Sequence, residues 1–207
     1  MYWAEFLTVA LIHLLAVASP GPDFAVVVRE SVTHGRKAGT YTAMGVGTAI
    51  FVHVGYSLLG IGLIVSQSIV LFNALKWAAA AYLLYIGFKA LRAKPANASD
   101  APVKVAEGER TARGAFTSGF VTNGLNPKAT LFFLAIFTTL VSATTPLQVQ
   151  ALYGVWMCFV NALWFVIVAL FFSNPGVRLL FMRMGHWFER SMGVILILFA
   201  GRLVLSM

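Results

Sequence analysis

The sequence predicts an all-α integral membrane protein of six transmembrane helices, arranged as two inverted three-helix repeats in which helices 1 and 4 are broken. Three observations predict it. Apolar runs long enough to cross a bilayer recur along the chain, basic residues gather in alternate loops, and a proline break falls at a matching place in each half. The 207 residues are 59% hydrophobic and 11% charged, with a mean hydropathy of +0.84. That balance is far from that of a soluble domain. The runs are continuously apolar rather than alternating, which excludes a β-barrel.

A membrane span needs about 20 mostly apolar residues. The first, Phe6–Val28, is interrupted by Ser19-Pro20-Gly21-Pro22-Asp23. Each proline inside a helix removes an amide donor and clashes with the carbonyl four residues back, at about 3 kcal/mol or more. In hydrocarbon such a break survives only where it faces protein or a water-filled cavity. A cleaved leader ending at Ala16-Val17-Ala18 is the plainer reading, but the stretch before it has Glu5 and no Lys or Arg, and the apolar run resumes at Phe24. The second span, Tyr41–Val65, is rich in glycine and carries His53; the third is Val70–Leu91. A polar stretch from Ala93 to Arg113 then reads as a linker. The fourth span, Phe116–Val141, contains the second break, Asn123-Gly124-Leu125-Asn126-Pro127-Lys128. Val149–Phe172 and Trp187–Leu205 complete the set, giving a first repeat over 1–92, a cytoplasmic linker over 93–113 and a second repeat over 114–207.

The net charge of +8 would suggest nucleic acid in a soluble protein, but its placement gives it another meaning. Twelve of the fifteen Lys and Arg fall in or beside the first, third and fifth loops, from Arg29 to Lys37, from Lys89 to Arg113 and from Arg178 to Arg190. By the positive-inside rule these loops are cytoplasmic, and an even number of spans leaves both termini outside. Nucleic-acid binding is not expected. Cys158 is the only cysteine, so no intrachain disulfide or thiol relay can form. No group of His, Cys and carboxylates has metal-ligand spacing, and neither a metal nor a cofactor is expected.

Setting Pro20 against Pro127 brings Gly47 onto Gly154, and a one-residue shift then pairs Phe51-Val52-His53 with Phe159-Val160-Asn161. With three spans per half, the second copy enters the membrane upside down, the inverted-repeat plan of secondary transporters. Half-helices beginning after Pro22 and after Pro127 then meet N-terminus to N-terminus near the midplane. Each offers unpaired amide donors and about half a positive charge, a site for a carboxylate. Lys128 adds a full charge, and Asp23 is placed to hold an ammonium group or a proton. A zwitterionic amino acid suits that pair. His53 is the candidate to relay protons with Asp23, Asn161 is a candidate to close the site, and His13 reads as structural.

The motif Ser19-Pro20-Gly21-Pro22-Asp23, the basic Gly35-Arg36-Lys37-Ala38-Gly39, the following Gly45-Val46-Gly47, and Asn126-Pro127-Lys128-Ala129 together give the chain a family likeness. It resembles the LysE/Rht family of bacterial amino-acid exporters over nearly its whole length. The opening Phe6-Leu7-Thr8-Val9-Ala10 is most similar to the threonine and homoserine efflux branch. The resemblance implies an inner-membrane exporter of a small neutral amino acid, driven by the proton gradient and oligomeric, with a homodimer as the simplest form. Which amino acid is carried stays open. A membrane enzyme or assembly factor using Asp23 and Lys128 as an acid–base pair is the alternative.

Overall fold

The computed structural model describes residues 2–19, 21–67, 69–94, 110–142 and 144–205. Pro20 and most of the linker, with Asn97 and Lys104, lie outside the described residues. The chain is all-helical there: α1 (Trp3–Ala18), α2 (Pro22–Gln67), α3 (Ile69–Leu91), α4 (Ala112–Gly124), α5 (Pro127–Thr139), α6 (Leu147–Phe172) and α7 (Pro175–Leu205). Among the described residues two helices are long and apolar enough to cross a membrane, Pro22–Gly60 and Leu147–Phe172.

The expected breaks fall where the prolines are, and α2 and α5 each begin on a proline, Pro22 and Pro127. There the missing N–H is one of the donors that no helix start can pair, and the fixed φ is already helical. Two boundaries differ from expectation. The basic segment from Arg29 to Lys37, read as a loop, is helical, because the turn is made by one residue: Gly35 at φ 82° and ψ 175°. Only glycine adopts that backbone freely, so the helix bends and resumes without a loop. The last helix starts at Pro175 rather than Trp187, with the Asn174 side chain accepting from Gly176 N at 2.9 Å to cap it. Arg190 therefore lies inside α7 and donates to the Ala93 carbonyl at 3.0 Å.

The long α2 packs chiefly on α4 and α6, while α3 packs on α7. These contacts are made backbone to backbone through small residues, as apolar helices approach where no hydrophobic drive separates protein from lipid. A Cβ at Gly45 would collide with the Phe116 carbonyl, and one at Gly119 with the Thr42 carbonyl. Thr42 is fully buried and its hydroxyl donates to Ala38 O at 3.0 Å, with Ala115 O of α4 at 3.1 Å. Gly119→Ala is therefore expected to push α4 off α2 and cost about 1–3 kcal/mol, read as a lower unfolding temperature of the purified protein in detergent. An unchanged unfolding temperature would mean that the crossing has slack the structure does not display.

The α2–α6 and α3–α7 crossings are reciprocal. Gly47 lies on Ala162 while Gly154 lies on Val54; Gly87 lies on Ile197 while Gly193 lies on the Leu91 amide and the Gly87 carbonyl. As one residue number rises the other falls, so both pairs run antiparallel. Phe51 and Phe159 are exposed, whereas His53 and Asn161 are buried, so the paired segments present the same faces.

The surface is apolar over much of its girth, with Leu7, Leu59, Val70, Phe159 and Leu198 among the large side chains more than 60% exposed. Carboxylates pin two distant points instead. Glu5 accepts from Ser142 N (2.9 Å) and Thr145 Oγ1 (3.0 Å), tying α1 to the turn before α6. Glu30, 2% exposed, lies 2.9 Å from His34 Nδ1 and accepts from Arg110 at 3.4 Å, tying α2 to the segment that enters α4.

Candidate functional site

The two breaks meet. Asp23, in the first turn of α2, accepts on Oδ2 from Asn123 Nδ2 (2.9 Å) and from Asn126 Nδ2 (3.0 Å). Asn126 is the N-cap of α5, its Oδ1 accepting from Lys128 N at 2.9 Å. One side chain thus caps one helix and clamps the start of another. Lys128 reaches back across the first break, where Nζ donates to both the carbonyl and the hydroxyl of Ser19 at 3.1 Å. A carbonyl freed by the break is satisfied by a cation from the opposite half.

These groups surround a cavity of about 40 Å³ lined by Gly21, Asp23, Asn123, Asn126, Lys128 and Asn161, and closed by Ala129, Phe132, Phe133 and Phe165. That is room for about three or four waters, so a larger ligand enters it only as side chains draw apart, and a small one requires least. Of the residues expected to bind substrate, Gly21, Asp23, Asn126, Lys128 and Asn161 come together there. Pro22 and Pro127 initiate the helices and face away from it.

Among the described residues three side-chain oxygens of residues that line this cavity have no hydrogen-bond partner: Asp23 Oδ1, Asn123 Oδ1 and Asn161 Oδ1. All are acceptors. Buried polar atoms in a folded protein are nearly always paired, so three unpaired acceptors on residues of one cavity wall suit a group with several donors, such as an ammonium.

His53 does not line the cavity but is joined to it. Its Nε2 lies 3.0 Å from the Asn123 carbonyl, and a carbonyl only accepts, so this nitrogen carries a proton. The other nitrogen, Nδ1, is 2.8 Å from the Tyr56 hydroxyl, which is in turn 3.3 Å from the Thr130 carbonyl of α5. A neutral ring takes the Tyr56 hydrogen on Nδ1. A protonated ring donates there, and the hydroxyl turns to Thr130. Through Asn123 the imidazole is one residue from Asp23.

Residue reading missed several members. Asn123 was visible only as part of the second break and Ser19 as part of the first, and Tyr56 and Phe133 carried no signal; the spacing of Asn123 and Asn126, three residues apart across the break, was the available one. His13 was read as structural, yet it lines the cavity. Among the described residues no group of three His, Cys, Asp or Glu is placed to hold a metal.

An all-helical chain with an apolar exterior and a small polar cavity where two interrupted helices begin belongs to the class of membrane transport proteins. The chain is a member of the LysE type translocator family, whose model matches residues 14–207. It is similar to the threonine efflux protein of Escherichia coli strain K12, 31% identical over 204 residues, covering 97% of this chain and 98% of that one. The homoserine/homoserine lactone efflux protein of Salmonella typhi is 30% identical over 152 residues, 73% of this chain and 69% of that one. The E. coli protein YahN, described as an uncharacterized membrane protein, is 29% identical over 208 residues, 97% and 89% of the two chains. No solved structure matches. The protein is therefore a translocator and not an enzyme, and the acid–base reading of Asp23 and Lys128 falls away.

Proposed function

We propose that the protein exports a small neutral amino acid, of the threonine or homoserine kind, across the bacterial inner membrane in exchange for protons. The observation that carries this reading is the cavity between the starts of α2 and α5. The amides of two helix N-termini and Lys128 favour the substrate carboxylate, and the free oxygens of Asp23, Asn123 and Asn161 match an α-ammonium group. Gly21, Asp23, Asn126, Lys128 and Asn161 form the proposed binding set, with Pro22 and Pro127 setting the helix starts that shape it and Pro20 of the same motif outside the described residues. Asp23 and His53 form the proposed proton path, its hydrogen bonds running through Asn123. The names of the threonine and homoserine efflux relatives support the substrate class.

The reciprocal, antiparallel crossings of α2 with α6 and α3 with α7 support an inverted repeat, in which the cavity is opened alternately to either side by rocking one half on the other. The placement of basic residues supports cytoplasmic positions for the linker and periplasmic termini. Phosphatase fused after Met207 is then expected to be active and phosphatase fused near Asn97 inactive; the reverse pattern would overturn the topology. A homodimer in the bilayer is proposed on the family likeness alone, and crosslinking in native membranes tests it. The export reading itself is tested by counterflow of labelled amino acids into proteoliposomes of the purified protein. Accumulation of a small neutral amino acid is expected, and its absence across a full panel would sink the reading.

A further inference from the structure

His13 is fully buried, and among the described residues neither Nδ1 nor Nε2 has a hydrogen-bond partner. A neutral imidazole is one donor and one acceptor. Burying each without a partner leaves its desolvation uncompensated, so a side chain that serves only to pack would be better as Leu or Phe. The ring is enclosed by Phe132, Phe133 and Trp156 at centroid distances of 6.2, 6.0 and 5.7 Å, and it lines the same cavity as Asp23, Lys128 and Asn161.

An α-amino acid presents three things to its site. Two of them, the carboxylate and the ammonium, are answered by the helix starts with Lys128 and by the free oxygens of Asp23, Asn123 and Asn161. The rest of the cavity wall is aliphatic and aromatic except at Ser19, whose hydroxyl is bonded to Lys128, and at His13. Apolar walls in so small a space leave no solvation for a charged side chain and no room for a long one. A single imidazole among them offers one hydrogen bond.

We propose that His13 is the residue that selects the substrate side chain, and that it takes a short side chain bearing one neutral hydroxyl. A hydroxyl suits the ring in either tautomer, donating to the bare nitrogen or accepting from the protonated one. This assignment rests on the export reading above. It also explains why discrimination is attainable in so small a site. An apolar pocket rejects an isostere only weakly, whereas a pocket built to hydrogen-bond a hydroxyl is left with an unpaired buried group when the hydroxyl is missing.

Threonine and valine make the test, since they differ by a hydroxyl in place of a methyl on the same shape. Counterflow of L-threonine and L-valine is measured in proteoliposomes holding the wild-type protein, His13→Leu and His13→Gln. The wild type is expected to favour threonine by about tenfold or more, the equivalent of one well-made hydrogen bond at 1.4 kcal/mol. His13→Leu is expected to bring the ratio to about one, mainly by loss of threonine transport, and His13→Gln to keep part of the preference. A wild-type protein that carries both equally overturns the proposal, whether or not His13→Leu reaches the membrane. So does a threonine preference that persists in an active His13→Leu protein. A wild-type protein that moves no amino acid at all overturns the export reading, and this assignment with it.

Discussion

Asp23→Asn is expected to abolish uphill export while the protein remains in the membrane at near wild-type abundance. In the native site Oδ2 takes both amide hydrogen bonds, from Asn123 and Asn126, and leaves Oδ1, on a residue that lines the cavity, without a partner among the described residues. An asparagine keeps those two bonds by turning its oxygen toward them, so the shape survives. Its NH₂ then occupies the position of Oδ1. The substrate ammonium meets a donor where it had a charged acceptor. A hydrogen bond to a charged group contributes about 1.5–3 kcal/mol, or about ten- to a hundredfold in affinity, and the group that changes charge with the proton is lost as well. The readout is efflux against a gradient from loaded vesicles across a range of pH, beside a membrane immunoblot. If Asp23→Asn still drives uphill efflux with an unchanged pH profile, Asp23 is only a helix cap, and the proton must use another group. His53 would be tested next.

Lys128→Met is expected to act differently, raising the substrate concentration for half-maximal transport by about tenfold or more while the rate at saturation falls less. The reasoning is that a charge-assisted contact to the carboxylate is lost, whereas the proton path through Asp23, Asn123 and His53 stays connected. Methionine keeps the length and much of the volume of the side chain. It cannot replace the two bonds from Nζ to Ser19, so Lys128→Arg is the necessary control: it restores charge and donors at the first break and should recover part of the affinity. Equal loss in both variants, with half-saturation unchanged, would assign Lys128 to holding the break closed rather than to binding.

How much of this was legible beforehand follows from what a local sequence can encode. Proline and glycine act on their own backbone, so the ends of α1 and α4 and the starts of α2 and α5 could be read directly from Pro22 and Pro127. The bend at Gly35 was harder. The basic residues around it look like a loop to any rule that counts charge, and only the backbone reveals one glycine at positive φ inside a continuing helix. The burial of Glu30 carried no local signal, since one of its partners, Arg110, is 80 residues away. Asn123 escaped for a like reason, as its bond to Asp23 spans 100 residues. His13 was lost to an averaging problem: α1 is apolar nearly all round, so no face of it announces which side chains look inward.

The central claim is that the amino acid sits between the starts of α2 and α5. Ala129, in the first turn of α5 and 9% exposed, lines that cavity, and Cys158 is the only native cysteine. With Cys158 replaced by alanine and a single cysteine placed at Ala129→Cys, alkylation by a small thiol reagent is followed in proteoliposomes with and without threonine. Threonine is expected to slow the reaction several-fold, over the same concentration range that drives counterflow. An alkylation rate that does not change at saturating threonine, in a protein that still carries it, would place the substrate elsewhere and contradict the account.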